Sequence, residues 1–257
     1  TVMAILGVQM FTLRKFTQNE ADLAATLHKV RDIGYQSIQV SAFGPIPAER
    51  VQQLCAEAGL NIAATHVSWD RFRHDLQRVI AEHVRLNCKH TAVGMIPPAD
   101  YLSPQGLAKF VSEAAPVIRD LQASGISFSY HNHHHEFQRF DDKPWLQKLL
   151  EQAPSINLNL ELDTHWIVAG GADPVQWINK AGGAMPLLHL KDFCLDGDNK
   201  RRFAAIGQGN LNWEAILAEA AKHPIEYYLI EQDNCYGEDP FACLATSYQF
   251  LARFGLS

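Results

Sequence analysis

Between positions 157 and 163 apolar and polar residues alternate without a fault. Leu158, Leu160 and Leu162 stand on one side, and Asn157, Asn159, Glu161 and Asp163 on the other. A period of two marks a β-strand whose two faces meet different surroundings. Other short apolar runs predict strands over 5–10, 36–42, 60–68, 89–95, 126–132, 185–191 and 226–231. Between them lie stretches of helical spacing over 19–33, 47–58, 69–86, 103–121, 144–152, 173–181, 212–222 and 239–254. Gly34, Gly59 and Gly125 stand at helix ends, and Pro97-Pro98 closes the fourth strand.

Eight strand-then-helix units predict an α/β chain with a parallel sheet closed into a (β/α)8 TIM barrel. No linker, low-complexity segment or repeat divides the chain, so one barrel domain is expected over 1–257. An open doubly wound sheet would want a glycine-rich turn after the first strand, and Met10-Phe11-Thr12-Leu13-Arg14 has none.

Size and composition agree with one large core, since the 257 residues are 47% hydrophobic. No apolar run reaches the roughly 20 residues of a membrane-spanning helix. The formal net charge is −6 and no run of Lys or Arg exceeds two, which gives polyanion binding no support. Cys55, Cys88, Cys194, Cys235 and Cys243 are odd in number and scattered, as reduced thiols are. A cytoplasmic location is expected, or a periplasmic one if a signal peptide once preceded Thr1.

The chemistry concentrates at strand ends, where barrels of this kind place their active sites. The fifth strand opens into Tyr130-His131-Asn132-His133-His134-His135-Glu136-Phe137, four histidines and a carboxylate within six residues. Such a cluster is costly to bury unless a metal or substrate satisfies it. Asp163, His189 and Glu231 end the next three strands, at steps of 27, 26 and 42 residues from Glu136. At one position an ordinary polar strand end is the competing reading; four at successive ends favour a shared divalent metal. Oxygen-rich ligands with one imidazole suit Mg, Mn or Co and leave Zn and Fe open. Glu136 is out of phase with His131 and His133, so it must reach inward from the loop or through a bulge. Glu161, in phase with Asp163 but about 6–7 Å deeper, is expected to be a buried, paired carboxylate with a structural role.

Other residues carry two readings. His66 ends the third strand, as a pocket residue or a core histidine. Lys191 could neutralise an oxyanion or join a salt bridge. His165 could orient a ligand or cap its loop. Trp69, Trp166 and Phe11 could wall a substrate pocket or simply pack. Gly207-Gln208-Gly209-Asn210 reads as a turn more than a binding loop, and His134 and His135 as solvated.

With these residues set out, the chain resembles the xylose isomerase-like superfamily of TIM barrels, in its sugar phosphate isomerase/epimerase group. Tyr130-His131-Asn132-His133, Glu136-Phe137, Leu162-Asp163-Thr164-His165, His189-Leu190-Lys191-Asp192, Ile206-Gly207-Gln208-Gly209 and Glu231-Gln232-Asp233 carry the likeness in order. It is most similar to inosose dehydratase-like and 3-keto-sugar-processing members. The resemblance implies one divalent metal (Mn, Mg, Co or Zn) on Glu136, Asp163, His189 and Glu231. It also implies proton transfer on a keto-sugar through a metal-bound enediolate, with Glu136 and Glu231 as the acid–base pair. His131 and His133 are an addition suited to protonating a leaving hydroxyl, which keeps a lyase on an inosose or 3-keto-glycoside as the alternative. His66, His165, Trp69 and Trp166 are the expected substrate contacts. Apurinic endonucleases share the barrel but carry more histidines for three zinc ions. An inactive sugar-binding protein sits poorly with a full ligand set. The expected partner is a small sugar, not nucleic acid or membrane, and homo-oligomerisation is left open.

Overall fold

The computed structural model describes residues Met3–Ser257. Eight parallel strands close into a barrel: β1 (Ile5–Gln9), β2 (Ser37–Val40), β3 (Asn61–Val67), β4 (His90–Val93), β5 (Ser127–His131), β6 (Asn159–Asp163), β7 (Leu187–Leu190) and β8 (Tyr227–Ile230). Each pairs with its neighbours in sequence, and β1 pairs with β8 to shut the ring. Every expected strand is present, shortened by one to three residues in total. The reason is that pairing ends where the barrel wall splays into loops.

The alternation that revealed β6 has a direct structural meaning. Leu158, Leu160 and Leu162 pack outward into the large core shared with the helices. Inside the barrel Leu187 and Leu229 join Ala63 and Ala64 in a small apolar floor. Gly7 lets this interior close, because a Cβ there would stand 2.3 Å from Ser37 Oγ and 3.0 Å from Leu229 Cδ2. Above the floor the inward positions become polar, and Gln9, Gln39, Glu161, Asp163 and His189 are all fully buried. Register sets this layer: His131 lies beside Glu161, and Asp163 beside His189.

The helices follow their caps. The Asn19 side chain accepts from the Asp22 N–H at the start of Glu20–Ile33, and Ser103 accepts from Gly106 at the start of Pro104–Ala123. The helix expected over 69–86 is two, Trp69–His74 and Leu76–Leu86, broken at Asp75 with φ −137° and ψ 28°. Three further elements sit over the strand ends: a 3₁₀ segment Met10–Phe16, a short helix Thr164–Ala169, and an antiparallel hairpin of Asp192–Leu195 with Arg201–Ala204. Among the described residues no helix is long and apolar enough to cross a membrane.

Candidate metal centre

Four side chains converge at the C-terminal mouth of the barrel: His131 from β5, Asp163 from β6, His189 from β7 and Glu231 just beyond β8. All are buried, and one ligand atom from each lies within 4.8 Å of the others. His131 Nε2 is 3.0 Å from Asp163 Oδ2, and His189 Nδ1 is 3.1 Å from Glu231 Oε2.

The second nitrogen of each imidazole shows how the site is primed. His131 Nδ1 lies 2.9 Å from the Gly94 carbonyl, which can only accept, so this nitrogen carries a proton. His189 Nε2 faces Gln39 Oε1 at 2.7 Å and Glu161 Oε1 at 2.9 Å. Gln39 in turn donates its amide to Glu161 Oε2, which fixes its carbonyl toward His189. Both rings therefore aim their remaining nitrogen at the Asp163 and Glu231 carboxylates. Neutral imidazoles in that arrangement turn lone pairs toward anions, which is stable only with a cation or added protons between them. The donor set fits a divalent metal on this ground.

Electrostatics agree. Burial pushes His189 down, but Glu161, Asp163 and Glu231 outweigh it and hold its ring well above the usual imidazole range. Burial pushes Asp163 up, yet Lys191, His131 and His189 hold it well below its ordinary value. Glu231 is lowered in the same way by Lys191 and His189 against its own burial. Lys191 is enclosed, with Nζ 2.9 Å from Asp163 Oδ2, 2.9 Å from Glu231 Oε2 and 3.0 Å from Asp233 Oδ1. Its ammonium holds two of the carboxylate oxygens that a metal would use. Asp233 follows Glu231 by two residues and so shares its phase. Its own burial, then the charge of Glu231, push its carboxyl up to about 6.

Glu136 is the main departure from the expected ligand set, and the converging group has His131 in its place. Its loop does not bulge inward but folds into the 3₁₀ turn His135–Phe137. Fully buried, Glu136 accepts from Tyr130 Oη and from the His133 N–H, each at 2.8 Å. The carboxylate thus fastens the loop it stands on. With His131 in its place the centre has two imidazoles rather than one.

Glu161 meets its expectation as a buried, paired carboxylate, held by His66, His189 and Gln39. It stays ionised because, against its burial, His189 and His66 lower it well below the usual range. Since it orients His189, Glu161→Gln is expected to cut affinity for a divalent metal by about 10–100-fold. Titration of the metal-stripped protein checks this, and unchanged affinity would remove the orienting role.

The other expected contacts divide. His66 belongs to the polar layer, its ring centroid 5.2 Å from that of His189 and 4.9 Å from that of His131. Trp166 flanks the site, stacked on His134 and 5.4 Å from the His133 ring. Trp69 does not reach the pocket. It lies behind the wall against Phe72, Phe110 and Phe128, with Nε1 donating to Tyr101 Oη. His165 is buried, bonded through Nδ1 to the Asp192 carbonyl and stacked on Phe203 at 4.4 Å. From that position it braces the hairpin. His133 is held well below the imidazole range by burial, then by His131 and Lys191. His134 and His135 are half-buried rather than solvated.

Gly207-Gln208-Gly209-Asn210 is a turn wrapped on Asp192, as expected of it. The fully buried Asp192 carboxylate accepts from the N–H groups of Phe193, Gly207, Gly209 and Leu211 and from Trp213 Nε1. A Cβ on Gly209 would meet Asp192 Oδ1 at 2.3 Å, so the loop needs that glycine to close on its anchor.

The whole architecture recurs in solved structures. A sugar phosphate isomerase/epimerase from Parabacteroides distasonis aligns over 97% of this chain and 98% of its own, with a TM-score of 0.81 and 22% identity. An L-ribulose 3-epimerase aligns over 99% and 95%, at 0.76 and 19%. A xylose isomerase-like TIM barrel protein from Mycobacterium smegmatis, in complex with magnesium, aligns over 98% and 96%, at 0.73 and 14%. No curated protein sequence matches significantly. The family description "xylose isomerase-like TIM barrel" matches residues 27–234, the greater part of the sequence, and the chain belongs to that family.

Proposed function

We propose that this protein is a divalent-metal-dependent isomerase or epimerase of a keto-sugar or sugar derivative. The observation that carries the reading is the convergence of His131, Asp163, His189 and Glu231, with both imidazoles oriented from behind. Isomerase/epimerase neighbours and a magnesium-bound neighbour of the same fold support it. A cation held there would stabilise negative charge developing on a substrate carbonyl oxygen. Two imidazoles favour Mn, Co or Zn over Mg among the metals expected.

The chain's own residues would do the rest. Glu231 stands at the end of a rigid strand and is the carboxylate best placed to take the proton next to the carbonyl. Lys191 keeps Glu231 and Asp163 ionised, and Trp166 offers an apolar face for a sugar ring. Epimerisation by two opposed carboxylates needs a second one, and Glu136 has both oxygens bound within its own loop. A single proton-exchanging carboxylate suits transfer between adjacent carbons on one face, which is isomerisation. The lyase alternative needs an imidazole acid: His131 has both nitrogens engaged, by Gly94 and by Asp163, which leaves His133, whose Nδ1 has no hydrogen-bond partner among the described residues.

The test is a panel of keto-sugars and inososes incubated in deuterium oxide with protein stripped of metal and reloaded with manganese, cobalt or zinc. Metal-dependent incorporation of deuterium beside the carbonyl is the expected result. An unsaturated ketone among the products would instead establish the lyase. No incorporation with any metal or sugar would end the reading.

A further inference from the structure

Beside the converging group lies a second constellation that the proposed chemistry leaves unused. His133, His135 and Glu136 each place one ligand atom within 4.8 Å of the others. The two rings are stacked, with centroids 5.3 Å apart and planes 13° from parallel. His133 Nδ1 and His135 Nε2 are both buried and have no hydrogen-bond partner among the described residues. His135 Nε2 lies 3.1 Å from Glu136 Oε1, yet at an angle that makes no hydrogen bond. With His134 Nδ1 likewise unpartnered, three buried nitrogens in one loop turn carry a real cost, because a buried polar atom without a partner loses its hydration for nothing.

We infer that His133, His135 and Glu136 form a second divalent-cation site adjoining the first. Its two imidazoles and one carboxylate are the donor set of open zinc sites, where three protein ligands leave a position for water or a substrate oxygen. Donors around a tetrahedral zinc stand about 3.3 Å apart at ordinary bond lengths. The His135–Glu136 pair, at 3.1 Å, is already close to that separation, and His133 offers a ligand atom within 4.8 Å of both. Glu136 can serve while keeping its bonds to Tyr130 and the His133 N–H, since each carboxylate oxygen has a second lone pair. The two sites meet at His131 and His133, whose ring centroids are 4.9 Å apart. A substrate oxygen could thus be held by the second cation while the first acts on the carbonyl. Hard magnesium suits this nitrogen-rich set poorly; zinc and cobalt suit it well.

The probe is the metal alone. The full chain is stripped with chelator, reloaded with zinc and desalted, and zinc per chain is counted by elemental analysis. Cobalt(II) absorption reports the coordination of each site. Two zinc ions per wild-type chain are expected, one in His135→Gln and one in His189→Gln, each variant keeping a different cobalt spectrum. Circular dichroism controls for folding, and His133→Gln gives a second route should His135→Gln misfold. A single zinc lost with His189→Gln but kept by His135→Gln and His133→Gln would overturn the second site and leave the first intact. A single zinc lost with either loop variant and kept in His189→Gln would overturn the first instead.

Discussion

Replacing Glu231 by glutamine is expected to abolish exchange of the substrate C–H with solvent while the protein keeps its fold and, at saturating concentration, its metal. The amide retains an oxygen to turn toward His189 Nδ1 and Lys191 Nζ, which the carboxylate now meets at 3.1 Å and 2.9 Å. It cannot accept a proton at neutral pH. A positioned general base contributes about 10²–10⁴-fold, so exchange should fall by about 10³-fold. The measurement is deuterium incorporation into the keto-sugar that the wild-type protein accepts, with metal content determined on the same samples. Undiminished exchange would move the base to another group. The adjacent Asp233, 3.0 Å from Lys191 Nζ and with its carboxyl pushed up to about 6, would then be next in line.

The second large effect concerns stability. Asp192→Ala removes the anchor of the loop 206–211 and leaves five N–H donors without their acceptor. Hydrogen bonds to a charged group contribute about 1.5–3 kcal/mol each, and their losses overlap when one residue is deleted. A total loss of about 3–5 kcal/mol is expected, a large share of the roughly 5–15 kcal/mol that domains possess. For a chain of this size that lowers the melting temperature by about 10 °C. Asp192→Asn keeps one acceptor oxygen and should recover part of the loss. The hairpin that Asp192 begins also presents Phe203 to His165 and Trp166, so the pocket wall should loosen together with the loop. Denaturant unfolding of both variants decides it; a loss below about 1 kcal/mol for alanine would show the cage to be dispensable.

Neither effect could be graded from spacing alone, and the difference lies in how far apart the interacting residues are in the chain. The barrel itself was legible. A period of two at 157–163, apolar runs at regular intervals and helix stops at glycines are local signals, and each is read within a few residues. Asp163, His189 and Glu231 could be found the same way, because a strand end and an inward phase are properties of one segment. So could the buried pairing of Glu161, one pleat below Asp163.

What only the tertiary structure decided is which groups meet across strands. His131 takes a place in the converging group because β5 lies in register with β6 and Gly94 offers its carbonyl from just past β4. Glu136 is kept out because the chain after Asn132 curls into a 3₁₀ turn that its own carboxylate ties down. Trp69 is drawn into the core by Phe72 of its own helix and by Phe110 and Phe128 from two other segments, although by sequence it stands at a strand end like the pocket residues. Lys191 could be seen to point inward, but its three carboxylate partners come from β6 and from beyond β8. Side-chain phase is set by neighbours on the same strand, whereas partnership depends on barrel register and loop conformation, which no single segment encodes.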